Sequence, residues 1–156
     1  MIRLTRQADY GILLLVHMAG EPFGSVHAAP ELASLTGVHV PMVSKILKTL
    51  ARGGLLMSHR GPRGGYALAR QPREISLADV VQVLDGPIAM TACTGHEPDC
   101  GLESHCRVLP HWQHLNQVVV DALSRTSLAQ MVQPAPSPAQ FVALHAGDRT
   151  LAFPGA

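Results

Sequence analysis

The segment that most constrains the fold is residues 29–68, in which two helical patterns are followed by two short strand patterns. "APELASLTG" has Pro30 in its first turn and Gly37 at its end, as expected of a short helix. "VPMVSKILKTLARGG" predicts a second helix that begins at Pro41 and stops at Gly53. "LLMSHRGPRGGYALA" predicts two strands around a Gly/Pro turn. Two helices joined by a turn and followed by a hairpin predict a winged helix-turn-helix.

The second of these helices is amphipathic. Its buried face is formed by apolar residues at i, i+3, i+4 and i+7, namely Val43, Ile46, Leu47 and Leu50. The amino-terminal side chains of such a helix enter the major groove, and here they are Pro41, Met42, Ser44, Lys45 and Lys48. Lys and Ser suit phosphate oxygens or base edges, whereas Met offers apolar contact. The alternative interpretation is a polar face that only meets water.

The charge distribution favours a polyanionic partner, although the net charge is only +1. Residues 41–73 hold seven basic residues and no acidic one: Lys45, Lys48, Arg52, Arg60, Arg63, Arg70 and Arg73. From residue 74 to residue 103 the sign inverts, with six acidic residues and no Lys or Arg. A block of one sign on a nearly neutral chain indicates a local partner surface, here for double-stranded DNA.

The hairpin turn "RGPRGGY" strengthens the prediction of DNA binding. Arg60 and Arg63 flank its tip, and a narrow DNA groove attracts arginine through its concentrated negative potential. Gly64 and Gly65 allow the backbone to approach a ligand closely, and Tyr66 follows them. All five residues are therefore predicted to contact DNA.

Two further helices flank this segment. The first is predicted from about Gln7, with Thr5 as its cap. Its apolar stripe consists of Ala8, Ile12, Leu15, Val16 and Ala19. The other, "ISLADVVQVLDG", has Ser76 as cap and Asp79 three residues later, which is close to a capping box.

A longer helix is predicted from Pro110 to about Arg125. Its apolar residues have spacings of three, four and three, and they are Trp112, Leu115, Val119 and Ala122. This coiled-coil-like spacing predicts a dimer interface with the same helix of a second copy. A short helical turn in "TSLAQMV" follows, and "PAPSPAQ" has the composition of a linker.

The predicted fold is mainly α with a small β-ribbon. Residues 1–88 form the winged helix-turn-helix, 89–108 a cysteine loop, 109–132 a dimerisation helix with a short terminal helix, and 133–156 a Pro-rich, flexible tail. The start "MIRLTRQADY" lacks the apolar stretch of a secretory signal, and "GILLLVHMAG" is too short to span a bilayer. We therefore expect a cytoplasmic protein without membrane contact.

All three cysteines lie in one loop, "CTGHEPDCGLESHC", as Cys93, Cys100 and Cys106. Thiols stay reduced in the cytoplasm, so the cluster indicates metal binding or redox activity. The gaps of six and five residues are looser than the two-residue gaps of zinc knuckles and ferredoxin runs. Thiolates suit an iron–sulfur cluster. The residues alone do not separate a cluster from zinc, or from cysteines that sense oxidants without metal.

Several motifs together resemble one family over about residues 2–132. They are "RLTRQADYGILLLVHMA", "VSKILKTLARGGLL", "HRGPRGGYALA", "ISLADVVQVLDGPI" and the three cysteines before a Trp-containing helix. They resemble the Rrf2 family of bacterial transcription regulators, which includes the iron–sulfur regulator IscR and the nitric-oxide sensor NsrR. With "TSLAQM", they are most similar to the branch that regulates the SUF iron–sulfur assembly operon.

The resemblance implies a homodimeric repressor whose long helices cross between subunits. It implies a [2Fe-2S] cluster on the three cysteines of each subunit, with the cluster-bound form repressing assembly genes. It also assigns the wing arginine to Arg60 and the recognition-helix positions to Pro41, Met42, Ser44 and Lys45.

The fourth cluster ligand departs from one pattern of the family. IscR-type members have a histidine three residues after the last cysteine, where this chain has Leu109. NsrR-type members use an acidic residue from the first helix of the other subunit, and the matching residue is Asp9. Asp9 is therefore the first candidate and His111 the second, while His105 and His96 also lie in or beside the loop.

The same sequence features are compatible with other functions. One is a nitric-oxide or redox-sensing repressor, and another is a winged-helix interaction module stapled by zinc. A small redox enzyme or electron carrier is disfavoured because the chain has no Cys-x-x-Cys pair, no substrate-site constellation and no Gly-rich nucleotide loop after a strand. We therefore expect neither catalysis nor a small-molecule substrate.

Overall fold

The computed structural model describes residues 4–95 and 105–134. Within these ranges it is mainly helical, with one two-stranded antiparallel sheet, which confirms the predicted winged helix-turn-helix. The helices are α1 (Arg6–Ala19), α2 (Ala29–Thr36), α3 (Val40–Arg52), α4 (Leu77–Asp85), α5 (Leu109–Arg125) and α6 (Leu128–Val132). The strands are β1 (Leu56–His59) and β2 (Gly65–Leu68), and single 3-10 turns span Pro72–Glu74 and Ala92–Thr94.

The helix ends follow the local sequence signals. The Thr5 hydroxyl accepts the Ala8 N–H at 3.2 Å, as predicted for the cap of α1. Gly37 ends α2 with φ +72°, a left-handed conformation that favours glycine. Ser76 and Asp79 form the predicted capping box of α4, with reciprocal bonds of 3.0 and 3.2 Å.

One continuous core joins the first four helices, the sheet and α6. Its fully buried large side chains are Leu14, Leu15, Leu32, Val43, Ile46, Leu47, Leu50, Leu55, Ile75, Val80 and Leu128. The predicted buried face of α3 is confirmed, since its four apolar residues are all fully buried. A core that includes Leu128 makes α6 part of the winged-helix body, although α5 separates it from α4 in sequence.

The predicted stripe of α1 is confirmed only in part, since Ala8 and Leu15 are fully buried and its other three residues pack at the edge of the core. The buried residues are Ala8, Gly11, Leu14, Leu15 and Met18, whereas Ile12, Val16 and Ala19 are only half-buried. An uninterrupted apolar run fits more than one stripe, so periodicity alone did not choose between them. Gly11 marks the true face, because a Cβ there would overlap the Leu84 side chain of α4.

Hydrogen bonds tie both ends of α4 to other parts of the body. The Leu77 N–H donates to the Thr126 carbonyl and the Leu128 N–H to the Ile75 carbonyl, each at 2.9 Å. At the opposite end of α4, the Asp85 carboxylate accepts the Thr5 N–H at 3.0 Å and also the Thr5 hydroxyl. In residues 4–95 and 105–134, no helix is long and apolar enough to span a membrane.

Candidate nucleic-acid interface and cysteine site

The outer face of α3 presents the predicted groove-contacting residues. Pro41, Lys45 and Lys48 are exposed, and Met42 and Ser44 are half-buried at the edges of that face. The buried side of α3 packs on α1 and α2, so the orientation of the helix is fixed by the core. An amphipathic helix held in this way offers its first turns to a ligand without moving.

The wing is a short hairpin held to the body by a third strand segment. β1 and β2 pair antiparallel from Leu56 opposite Leu68 to His59 opposite Gly65. The backbones of His27 and Tyr66 exchange two hydrogen bonds of 2.9 Å, which extends the sheet by one bridge. A Cβ on Gly65 would overlap the His27 carbonyl, and one on Gly64 the His59 carbonyl. A side chain at either position would therefore clash within the wing. This favours glycine there independently of the DNA contact predicted for both residues.

The basic side chains differ in whether they are paired within the described part of the protein. Arg60 and Arg63 at the wing tip, and Lys45 and Lys48 on α3, are exposed. No carboxylate among the described residues pairs with any of these four. Arg70 instead reaches Asp79 at 3.8 Å and donates to the Glu74 carbonyl at 3.2 Å. Although it belongs to the all-basic block in sequence, Arg70 is thus engaged within the body.

Two of the three cysteines lie in segments that adjoin α5. Cys93 lies half-buried in the 3-10 turn Ala92–Thr94, which packs on α5. Cys106 is also half-buried, and its carbonyl accepts the Leu109 N–H at 3.3 Å where α5 begins. Both are free thiols, and Cys100 lies outside the described residues. Half-buried thiols of this kind provide soft donors, which suit an iron–sulfur cluster or zinc.

The candidate fourth ligands are spread apart in the chain. Asp9 is exposed in the first turn of α1, and His111 is exposed in the first turn of α5. Leu109 is the first residue of α5, and His96 lies outside the described residues. In the part of the chain that the structure describes, no three His, Cys, Asp or Glu side chains are grouped closely enough to hold a metal. The ligand set stays a prediction.

α5 differs from every other long helix in having no buried residue. It packs mainly on α4 and on the Ala92–Thr94 turn. Of the predicted interface residues, Leu115 and Ala122 are exposed, and Trp112 and Val119 are half-buried. Val118, which the spacing did not single out, is also an exposed apolar residue of α5. An apolar, uncovered strip is what a helix-pairing surface requires.

Comparison with known proteins identifies the family to which this fold belongs. A family model described as "Rrf2: Iron-dependent Transcriptional regulator" matches residues 4–134. The chain belongs to the Rrf2 family. Its members are transcriptional regulators rather than enzymes, which confirms the resemblance and the expected absence of catalysis.

The Rrf2 assignment is supported by individual relatives. An rrf2-like HTH-type transcriptional regulator of Rhodobacter capsulatus is 30% identical over 145 residues, covering 85% of this chain and 95% of that protein. An HTH-type regulator of Mycobacterium tuberculosis is 39% identical over 88 residues, 56% of this chain and 55% of its own length. This match spans about half of that relative. The solved structure of T. potens IscR superposes with a TM-score of 0.63 at 24% identity, covering 89% and 96% of the two chains.

Sequence reasoning missed two polar residues that organise the cysteine site of this Rrf2 protein. Asn116 of α5 accepts the Met90 N–H at 2.9 Å and donates to the Ile88 carbonyl at 3.1 Å. Thr91 caps the turn that holds Cys93. Asn116 lies outside the apolar spacing of α5 and does not interrupt it, so the sequence alone gave no signal for its role.

Proposed function

We propose that this chain is a homodimeric DNA-binding repressor whose affinity for DNA depends on a [2Fe-2S] cluster, and that its targets are SUF iron–sulfur assembly genes. The proposal is supported by Cys93 and Cys106, two half-buried free thiols, one in a turn that packs on α5 and the other just before α5 begins. They lie there on the fold of a family described as iron-dependent regulators. The SUF target rests on the motif resemblance alone.

DNA recognition is proposed for α3 and the wing. Lys45 and Lys48 would contact phosphates or base edges, and Arg60 or Arg63 a minor groove. These side chains are exposed and unpaired among the described residues, so DNA need not displace an internal partner. In a dimer two such surfaces read two half-sites, and the angle between the bodies sets their spacing.

Dimerisation is proposed through the uncovered strip of α5. Leu115 is 40% exposed and Val118 is 37% exposed, beside the half-buried Trp112 and Val119. A strip of this kind pairs with its own copy across a two-fold axis. Because α5 packs on α4 and the residue after it, Thr126, is bonded to Leu77, its pairing would fix where the two wings lie.

Cys93, Cys100 and Cys106 would hold the cluster, and Asp9 of the other subunit would complete its coordination. The cluster, when bound, supplies one-electron redox chemistry and sensitivity to oxidants. Ligation would tie the cysteine loop to the start of α5, and an Asp9 ligand would tie it to the first helix of the other subunit. Occupancy would thereby bias the angle between the bodies without a contact to DNA.

The test is purification without oxygen, followed by an absorbance spectrum with iron and sulfide assays. Two irons and two sulfides per chain, with visible absorption, are expected. A colourless protein that contains zinc would support the stapled module, and a metal-free protein with full DNA affinity would support thiol-based sensing. A gel shift with promoter DNA at several salt concentrations then tests the DNA assignment.

A further inference from the structure

A threonine hydroxyl lies beside the first cysteine of the loop. Thr91 precedes the 3-10 turn Ala92–Thr94, and its Oγ1 is 3.2 Å from Sγ of Cys93. Both residues are half-buried, so water competes only in part for this contact. A hydroxyl at this distance is within the range of a hydrogen bond to sulfur.

The neighbouring bonds leave two acceptors for the hydroxyl proton of Thr91. The Thr94 hydroxyl donates its only proton to the Thr91 carbonyl at 3.0 Å and accepts the Thr91 N–H at 3.1 Å. It has no second proton for Thr91 Oγ1, which lies 3.3 Å away. The Thr91 proton can therefore go either to Thr94 Oγ1 or to Cys93 Sγ. A ligating thiolate has no proton and carries charge, so it is the stronger acceptor and Thr91 is the donor.

The backbone before Thr91 is held in place by α5. Asn116 pairs with the Met90 N–H and the Ile88 carbonyl, and both of its bonds are partly buried. Thr91 thus follows a fixed segment and begins a turn closed by Thr94. The hydroxyl and the sulfur share a five-residue frame, residues 90–94, which is held by the bonds to Asn116 and Thr94.

From these contacts we propose that Thr91 is a positioning residue for the cluster. Its hydroxyl donates a hydrogen bond to the Cys93 thiolate, holds that sulfur toward α5 and raises the reduction potential of the cluster. The physical reason is that a donor at a ligating sulfur stabilises the negative charge added on reduction. This inference rests on the proposed [2Fe-2S] function and adds to it a residue outside the ligand set.

The experiment compares Thr91→Val and Thr91→Ser in the full-length protein, with Thr126→Val as the matched control. Valine keeps the shape and removes the hydroxyl, whereas serine keeps the hydroxyl. Thr126 bonds the Ala122 carbonyl at 3.0 Å at the far end of α5, so its loss tests a threonine hydroxyl away from the cysteines. The readouts are the midpoint potential in an anaerobic dithionite titration, the EPR spectrum of the reduced cluster, and the rate of cluster loss in air.

We expect Thr91→Val to shift the equilibrium about tenfold toward the oxidised form, which lowers a one-electron potential by about 59 mV. Its cluster loss should be about tenfold faster. Thr91→Ser and Thr126→Val should match the parent protein. A parent without iron and sulfide contradicts the proposed function itself. A parent with the cluster and an unchanged potential in Thr91→Val overturns only the role of Thr91.

Two other outcomes are also decisive. If Thr91→Val fails to take up iron while Thr91→Ser loads and keeps the parent potential, the hydroxyl is required and the proposal stands. If Thr91→Ser behaves like Thr91→Val, or if Thr126→Val shifts the potential equally, the hydroxyl at Cys93 is not the cause and the proposal is wrong.

Discussion

The winged-helix body and α5 are stabilised in different ways. In the body, leucines from α1, α2, α3 and α6 are fully buried in one core. α5 has 17 residues and buries none of them. The body therefore has the interior that a chain of this size needs to fold, whereas α5 has only one covered side. This difference is what the proposed dimer contact through α5 would require.

The largest effect is expected from a cavity in the body. Leu47→Ala removes a fully buried side chain of α3 and should lower the free energy of unfolding by about 2–5 kcal/mol. Leu35→Ala is the matched control, because Leu35 is 57% exposed and its loss should change stability by about 0.5 kcal/mol or less. Urea unfolding followed by circular dichroism measures both, and equal losses would show that the body is not the stabilising unit.

The next effect concerns the uncovered strip of α5. Leu115→Glu should leave the unfolding of the body almost unchanged but raise the dimer dissociation constant about a hundredfold, because each copy would bury a charge. Gln113→Glu, an exposed position on the same helix, should have little effect. Analytical ultracentrifugation over a range of concentrations distinguishes them. A Leu115→Glu protein that remains fully dimeric would place the interface elsewhere.

The sequence predicted some features of the winged-helix body and not others. Helix and strand positions in the body followed from local signals such as the Thr5 cap, Gly37 and the Ser76–Asp79 box, which act within a few residues. The place of Gly11 on the buried face of α1 was not predictable, because it depends on Leu84 of α4 packing against it. Contacts between elements distant in sequence leave no local pattern.

The cysteine site shows the same limit. The sequence identified Cys93, Cys100 and Cys106 by their clustering, yet it gave no indication of Asn116, which joins α5 to residues 88–90. The engagement of Arg70 with Asp79 was equally hidden, since a charge count treats all seven basic residues alike. Which polar side chains pair with one another is known only from the fold, because the fold brings together residues that are distant in the sequence.

A smaller effect on DNA affinity is expected from the two arginines of the wing tip, compared with an arginine that is engaged within the body. Arg60→Ala or Arg63→Ala should weaken operator binding by about 1–3 kcal/mol without unfolding the body, if that arginine enters a groove. Arg70→Ala is the control from the same basic block, and its loss should barely change DNA affinity because Arg70 is engaged with Asp79 and Glu74. Fluorescence anisotropy at moderate salt measures all three. Unchanged affinity in both wing variants would refute the wing assignment.

The smallest effect is expected at the fourth cluster ligand. A carboxylate binds iron less strongly than thiolate, so Asp9→Ala should keep iron, shift the visible spectrum and increase oxygen sensitivity. Alanine at Cys93, Cys100 or Cys106 should instead lose the cluster. His111→Ala is the comparison for Asp9→Ala. If it alters the spectrum and Asp9→Ala does not, the ligand comes from the same chain and the coupling between subunits is wrong.

In the proposed mechanism, cluster occupancy acts through α5 on a body that is already folded. The most direct measurement is the affinity of the cluster-bound and cluster-free dimers for the same promoter DNA, at one salt concentration and without oxygen. We predict that the cluster-bound form binds about 5- to 150-fold more tightly, the range of a typical coupling free energy, while circular dichroism shows the body folded in both. Equal affinities of two folded dimers, one with and one without the cluster, would contradict the claim.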